Sequence, residues 1–384
     1  MTRHVPWDPW PDPRWDALVI VGGLVFEVPV GWAASPTDGG VRLDRTDGVV
    51  SIGLSAVPDR PVELARRVLT TRPDAVLLES ATDQILFALP EPADLVMVEH
   101  RCIDVGGTRV RIDLRCSVRD WPAVSEVVDG LLESRWSTRD TVHAVGLPEL
   151  AAEVGPGPVL QWRTDAGVLD HLVRFRDRGV VPGGERRSEA GRSAREHGLV
   201  GRFGATTDKG DELVGPIRDP DAVLAVERND PANPDVVHRW SCWVQGRRCV
   251  VRAEQPDGST ALGVVDVGSV AGHLLAWISP EPTGTIVGRG AVTISSAQLV
   301  DRSGPCPSDV AWFRAAWTAP TWQSVRGWSD AARSGFGWLS IGGVGVAEWS
   351  STGDRVTLAP ERPSSLVRQV ATTTNGLATA AVRT

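Results

Sequence analysis

The sequence has no tyrosine, one lysine (Lys209), seven histidines and five cysteines in 384 residues. Each scarcity removes a class of function. Five cysteines with no C-x-x-C spacing give neither a disulfide framework nor a zinc site, and the thiols read as free and mostly buried. The histidines, His4, His100, His143, His171, His197, His238 and His273, include no pair at i, i+2 or i, i+4, so no metal-ligand spacing is visible. Positive charge is carried almost wholly by Arg, which reads as the coding bias of a GC-rich genome. A net charge of −8 argues against a nucleic-acid surface, which needs a clustered positive field.

No run approaches the roughly 20 apolar residues of a membrane span. The longest, Ala17 to Phe26, is broken by Gly22-Gly23 and reads as a strand. The first sixteen residues hold three acids and four prolines where a secretory signal needs a positive segment and an apolar one, so the expected location is the cytoplasm. Trp7, Trp10 and Trp15 stand among those prolines, which predicts an extended leader over 1–17, packed on its own domain or docked elsewhere.

What remains is an ordinary globular composition, 42% apolar and 23% charged, in a chain long enough for at least two cores. Residues 18–136 alternate strands and helices with clear punctuation. Strand Leu24–Val30 precedes a hairpin about Asp47-Gly48, and a helix starting at Pro61 runs to Arg72. Strands Ala75–Ser80, Gln84–Leu89, Leu95–Val105 and Thr108–Val118 follow, the last two joined at Gly106-Gly107. A helix from Pro122 to Trp136 closes the set. The pattern predicts an antiparallel sheet with two helices on one face, an α+β unit.

Residues 137–158 read as a linker holding a short helix, Leu147 to Val154, with Gly155-Pro156-Gly157-Pro158 behind it. Residues 159–384 read as a larger α+β domain, with a helical opening followed by an antiparallel sheet. Helices are expected over Thr164–Arg178 and Arg186–Glu196, with Gly198 past the end of the second. Thr207-Asp208 caps a third, and Asp219-Pro220 stops it. Strands then come densely from Ala222 to Leu358, interrupted by helices at Val270–Trp277 and near Ser308–Trp317. A last helix runs from Pro363 to about Thr373.

Tests for chemistry find nothing catalytic. Gly288-Arg289-Gly290 and Gly342-Gly343-Val344-Gly345 lack the Lys-Ser/Thr of a phosphate loop, and no serine sits in a G-x-S-x-G elbow. The reading is therefore a protein that is not an enzyme, with no catalytic, cofactor-binding or metal residues and no cofactor. The helices of residues 160–214 suggest a winged-helix DNA-binding regulator as an alternative, although eleven basic against ten acidic residues from Leu160 to Pro220 supply no basic face. An enzyme with an unrecognised motif is the other alternative. Trp312, Trp317, Trp322, Trp328, Trp338 and Trp349 form core or a binding platform, with Trp322 and Trp328 on one sheet face by their even spacing.

The order of elements over Leu18–Trp136, with the phrase FEVPVGW at Phe26–Trp32, resembles the PsbP-like and DcrB/LpqN-like sandwich of small bacterial accessory proteins. The segment from Asp219 to Val226, the hairpin about Gln245-Gly246, the step from Val264 to Trp277 and the end from Arg355 through Gln369 resemble the EspG-like cytosolic chaperones of the actinobacterial type VII (ESX) secretion system. That resemblance covers roughly Leu160 to Gly376. It implies a non-catalytic chaperone or adaptor whose partner is a secreted helical protein, without nucleic-acid binding or membrane insertion. The partner-binding residues and the oligomeric state stay unassigned.

Overall fold

The computed structural model describes residues 15–383 apart from 22–23, 48–49, 57–60, 81–83, 92–93, 106–107, 137–157, 177–179, 279–289, 332–333 and 343. Most of the leader and nearly all of the linker, with its expected helix at 147–154, lie outside the described residues. In the first part, β1 (Trp15–Val21) and β2 (Leu24–Pro29) pair as a hairpin, so the apolar run read as one strand is two. Next come β3 (Trp32–Thr37), β4 (Gly40–Arg45), β5 (Ser51–Ala56), α1 (Pro61–Thr71), β6 (Val76–Ser80), β7 (Gln84–Glu91), β8 (Asp94–Val105), β9 (Thr108–Ser117) and α2 (Trp121–Trp136). The strands β3 to β9 form a seven-stranded antiparallel sheet in the order β3-β4-β5-β9-β8-β7-β6. Cys102 pairs with Arg111 and Met97 with Cys116, the register that a two-residue turn at 106–107 dictates.

The two helices lie on opposite faces of this sheet, which corrects the expectation of one shared face. In β7, Ile85, Phe87 and Leu89 pack with Ala65 and Leu69 of α1, while Leu86 and Ala88 point to the side of Val124 and Val128 of α2. The continuous apolar run of β7 is the reason, because a strand covered on both faces has no polar side to alternate with.

The second part opens with β10 (Trp162–Thr164), α3 (Val168–Arg176), α4 (Glu189–Glu196) and α5 (Asp208–Arg218). Gly198 takes φ 70° just past α4, and the Thr207 side chain accepts from the Gly210 amide at 3.3 Å, as the capping residues predict. Then come β11 (Ala222–Asn229), β12 (Val237–Gln245), β13 (Arg248–Glu254), β14 (Thr260–Asp266) and α6 (Val270–Ile278). The same plan repeats: β15 (Val292–Ser295), α7 (Ser296–Val300), α8 (Ala311–Trp317), β16 (Trp322–Ser329), β17 (Ser334–Ile341), β18 (Gly345–Thr352), β19 (Arg355–Glu361) and α9 (Pro363–Arg383). One ten-stranded sheet results, ordered β10-β14-β13-β12-β11-β16-β17-β18-β19-β15. Each half is a short edge strand, outer-face helices, a four-stranded meander and a closing helix, and the halves meet where β11 pairs with β16.

Two sequence expectations shift here. The closing helix runs ten residues past Thr373, because Thr374 and Leu377 are buried and Ala378 and Ala380 pack on the same apolar cluster, and that packing outweighs the poor propensity of the Thr and Gly residues around them. The β12–β13 turn is Gly246-Arg247 rather than Gln245-Gly246: Gln245 pairs with Arg248, and Gly246 takes the positive φ of 55° that the first central position of such a turn favours. The register moves by two, which keeps every side chain on its face. Cys242 thus opposes Val251 and Cys249 opposes Val244, and the two thiols still meet as diagonal neighbours.

The core is shared between the two parts. One apolar cluster contains Leu43, Ile52, Met97 and Leu114 of the first sheet, Leu224, Cys242, Val325 and Trp338 of the second, and Leu274 and Val370 of α6 and α9. The molecule is a sheet–helix–sheet stack with α2, α6 and α9 as its middle layer. A polar latch, buried at Glu99 and Arg101, crosses the same layer. Arg101 bonds Glu99 and, at 3.0 Å, Asp129 of α2; Arg362 and Arg368, on the α9 side, reach Asp129 at 3.1 and 2.8 Å. Burial pushes the Glu99 carboxyl upward despite Arg101 beside it.

Candidate functional site

The inner face of the ten-stranded sheet is covered by α6 and α9, whereas among the described residues the outer face is covered only at its flanks. On one flank Trp243, Val250, Leu262 and Val264 lie under Leu172 of α3 and Leu213 and Val214 of α5. On the other, Trp322, Leu339, Ile341 and Leu358 lie under Trp312, Phe313 and Trp317 of α8. The three indoles of that second cap are satisfied: Trp312 Nε1 donates to Gly290 O, Trp317 Nε1 to Gly304 O and Trp322 Nε1 to Ala316 O, at 2.9–3.1 Å. Trp338 is buried on the inner face. Of the six tryptophans read as core or platform, four are core.

Trp328 and Trp349 remain, on the strip between the caps. Trp328 shares the face of Trp322 but stands beyond the reach of α8, with 58% of its surface open. Glycines put it there. Trp328 pairs with Gly335 and Gly327 with Phe336, so each indole or phenyl ring lies over the glycine opposite, one pair facing outward and the next inward. A Cβ on Gly335 would stand 3.1 Å from Trp328 Cε3, and one on Gly327 would stand 2.2 Å from the Phe336 ring. These positions tolerate no side chain without moving an aromatic.

Beside Trp328, the Arg326 guanidinium stacks 4.0 Å above the Trp349 ring. Partial burial pulls its pKa below the usual arginine value, with Glu227 across the strand pair opposing the shift. Glu227 is itself bonded to Arg239 at 3.1 Å. Arg326, Trp349 and Ser351 wall a shallow depression of about 500 Å³ that passes over Gly335 and Gly337 toward Phe336 and Gln369. The arrangement offers a flat aromatic surface, a partly desolvated cation and exposed backbone on a rigid sheet. Sequence reasoning named both tryptophans but missed Arg326 and the glycines. The signal was legible in Gly327-Trp328 and Gly335-Phe336-Gly337-Trp338, where glycine alternates with aromatics on adjacent strands.

The segment 160–214 is built into the sheet rather than set apart. Trp162 to Thr164 pair with β14, and α3 and α5 spend their apolar faces on Val250 and Leu262. Among the described residues no three His, Cys, Asp or Glu side chains converge as a metal site, and no helix is long and apolar enough to cross a membrane. His171 lies against Phe175, 5.1 Å between ring centres, and burial lowers its pKa.

The architecture is that of an antiparallel α+β protein with an open sheet face. No family model and no curated protein matches the chain. Among solved structures it is similar to the cyanobacterial PsbP protein (CyanoP) of Synechocystis, with 17% identity and a TM-score of 0.21, over 29% of this chain and 85% of that one.

Proposed function

We propose that the protein is a non-catalytic chaperone or adaptor that holds a helical secreted partner of a type VII-like secretion system in the cytoplasm, on the outer-face strip around Trp328. The observation that carries this is the exposed Trp328 beside the stacked Arg326–Trp349 pair, fixed over glycines on a rigid sheet. Trp and Arg dominate the energetics of protein interfaces, and an anchor held by a sheet loses little entropy on binding. The strip spans β11, β16, β17 and β18, about 15 Å of strand spacing, which is wide enough to seat one helix about 10–12 Å across. The partner's class rests on the resemblance of residues 160–376 to EspG-like chaperones.

The test is co-expression of the full chain with small helical secreted proteins encoded beside secretion ATPases in its native genome, followed by calorimetry. Trp328→Ala is expected to weaken the complex by about 2 kcal/mol, roughly thirtyfold, with an unchanged melting curve. A complex indifferent to Trp328→Ala and Arg326→Ala overturns the site. Binding of promoter DNA instead of protein overturns the function.

A further inference from the structure

On the strip, Arg326 of β16 stands opposite Glu227 of β11 on one side and Gly337 of β17 on the other. Glu227 is turned to Arg239, at 3.1 Å, and forms no ion pair with Arg326. Gly337 is what lets the guanidinium cross β17. A Cβ there would stand 3.9 Å from Arg326 Cγ and 3.8 Å from Trp349 Nε1, so any side chain longer than that of alanine would lie in the path between them. The guanidinium ends 4.0 Å above the Trp349 ring, and among the described residues it makes no hydrogen bond and no ion pair. Stacking engages the face of a guanidinium and leaves the N–H donors at its edge free, while holding the side chain in place before anything binds. Partial burial, which lowers the pKa of Arg326, strengthens the attraction of an anion to those donors.

The neighbouring acids narrow the chemistry. Glu348 lines the same depression, and Glu227 flanks Arg326 across the strand pair. A free cation between two acids suits a single negative charge. A dianion such as a phosphate group, for which recognition sites gather several Arg, meets repulsion from both. Trp328 stands two residues along the strand from Arg326 on the same face, about 7 Å away, so an anion bound at Arg326 has an open indole within reach of its own apolar part. We propose that the strip recognises a carboxylate carrying an apolar group about 7 Å from it, the carboxylate on Arg326 and the apolar group on Trp328. In the helical partner this is an Asp or Glu side chain beside a large apolar one, an assignment that rests on the strip being where the partner binds.

The experiment is a titration of the ¹⁵N-labelled full chain with 4-phenylbutyrate, 4-phenylbutyramide and 3-phenylpropyl phosphate, following the Trp328 and Trp349 indole N–H signals assigned through Trp328→Phe and Trp349→Phe. 4-Phenylbutyrate is expected to shift both signals saturably, with a dissociation constant of about 10 mM or tighter. The amide, of the same shape without the charge, binds about tenfold more weakly, and the phosphate binds no tighter than the carboxylate. Arg326→Gln removes the preference for the acid over the amide, whereas Trp328→Ala weakens both alike. Absence of saturable shifts, an amide as tight as the acid, a preference for the acid that survives Arg326→Gln, or a phosphate tighter than the carboxylate each overturns the assignment. The two readings fail separately: an acid preference absent here leaves standing a secreted-partner complex that depends on Trp328, and absence of that complex leaves standing an acid preference measured with these probes.

Discussion

The two faces of the ten-stranded sheet are built in opposite ways. The inner face is closed by α6 and α9 and shares its apolar cluster with the first sheet, across the layer in which the charge latch joins β8, α2 and the start of α9. The outer face is covered at both flanks and, among the described residues, open in the middle, where an aromatic and an arginine lie over glycines. Burial is thus concentrated on one side and the strip proposed for recognition lies on the other, so the same kind of substitution is expected to have different consequences on the two faces.

Separating the parts tests this contrast most severely. The sequence reading expects residues 1–139 and 159–384 each to fold alone. The shared cluster predicts the reverse: neither piece alone gives a cooperative melt, and the two pieces co-expressed associate into one that does. Two independent cooperative melts would place the stabilising core within each sheet rather than between them.

Next in size is the latch. Arg101→Ala leaves the Glu99 carboxylate buried beside an emptied space and is expected to cost about 3–5 kcal/mol in a urea melt. A cost below about 1 kcal/mol would show that water reaches the middle layer.

A smaller effect comes from acid. The folded-state pKa of His273, about 4, lies below the value near 6.5 of a free histidine, so the unfolded chain binds the extra proton between those values. Stability contributed by the neutral ring is complete above about pH 6.5 and falls as pH drops toward 4, by at most about 3 kcal/mol. His273→Gln should flatten that part of the profile, and an unchanged slope would assign it to other groups.

Smallest, and most informative about the outer face, is Trp328→Ala. Its melt should stay within about 0.5 kcal/mol of the parent, because more than half of the side chain faces solvent and it stands over Gly335. A loss of several kcal/mol would make the strip a structural element.

Much of the first part was legible, because Gly106-Gly107, Asp47-Gly48 and Pro61 fix local geometry without help from distant residues. The side of the sheet on which α1 lies was not, since Ile85 to Leu89 is apolar on both faces. Nor was the length of α9, where burial of Leu377 and the packing of Ala378 and Ala380 override local propensity. The candidate site was half legible. An exposed tryptophan and a buried one read alike in sequence, and only the reach of α8 distinguishes Trp328 from Trp322.

The ten-stranded sheet ends in β10 and β15, strands of three and four residues. An edge that short offers few free amides to template another chain, which disfavours joining of sheets edge to edge. A protein that presents a bare tryptophan on a broad sheet risks stacking by its rims. With the rims blunted, the strip proposed to bind a partner is reached from above the sheet rather than along its edges.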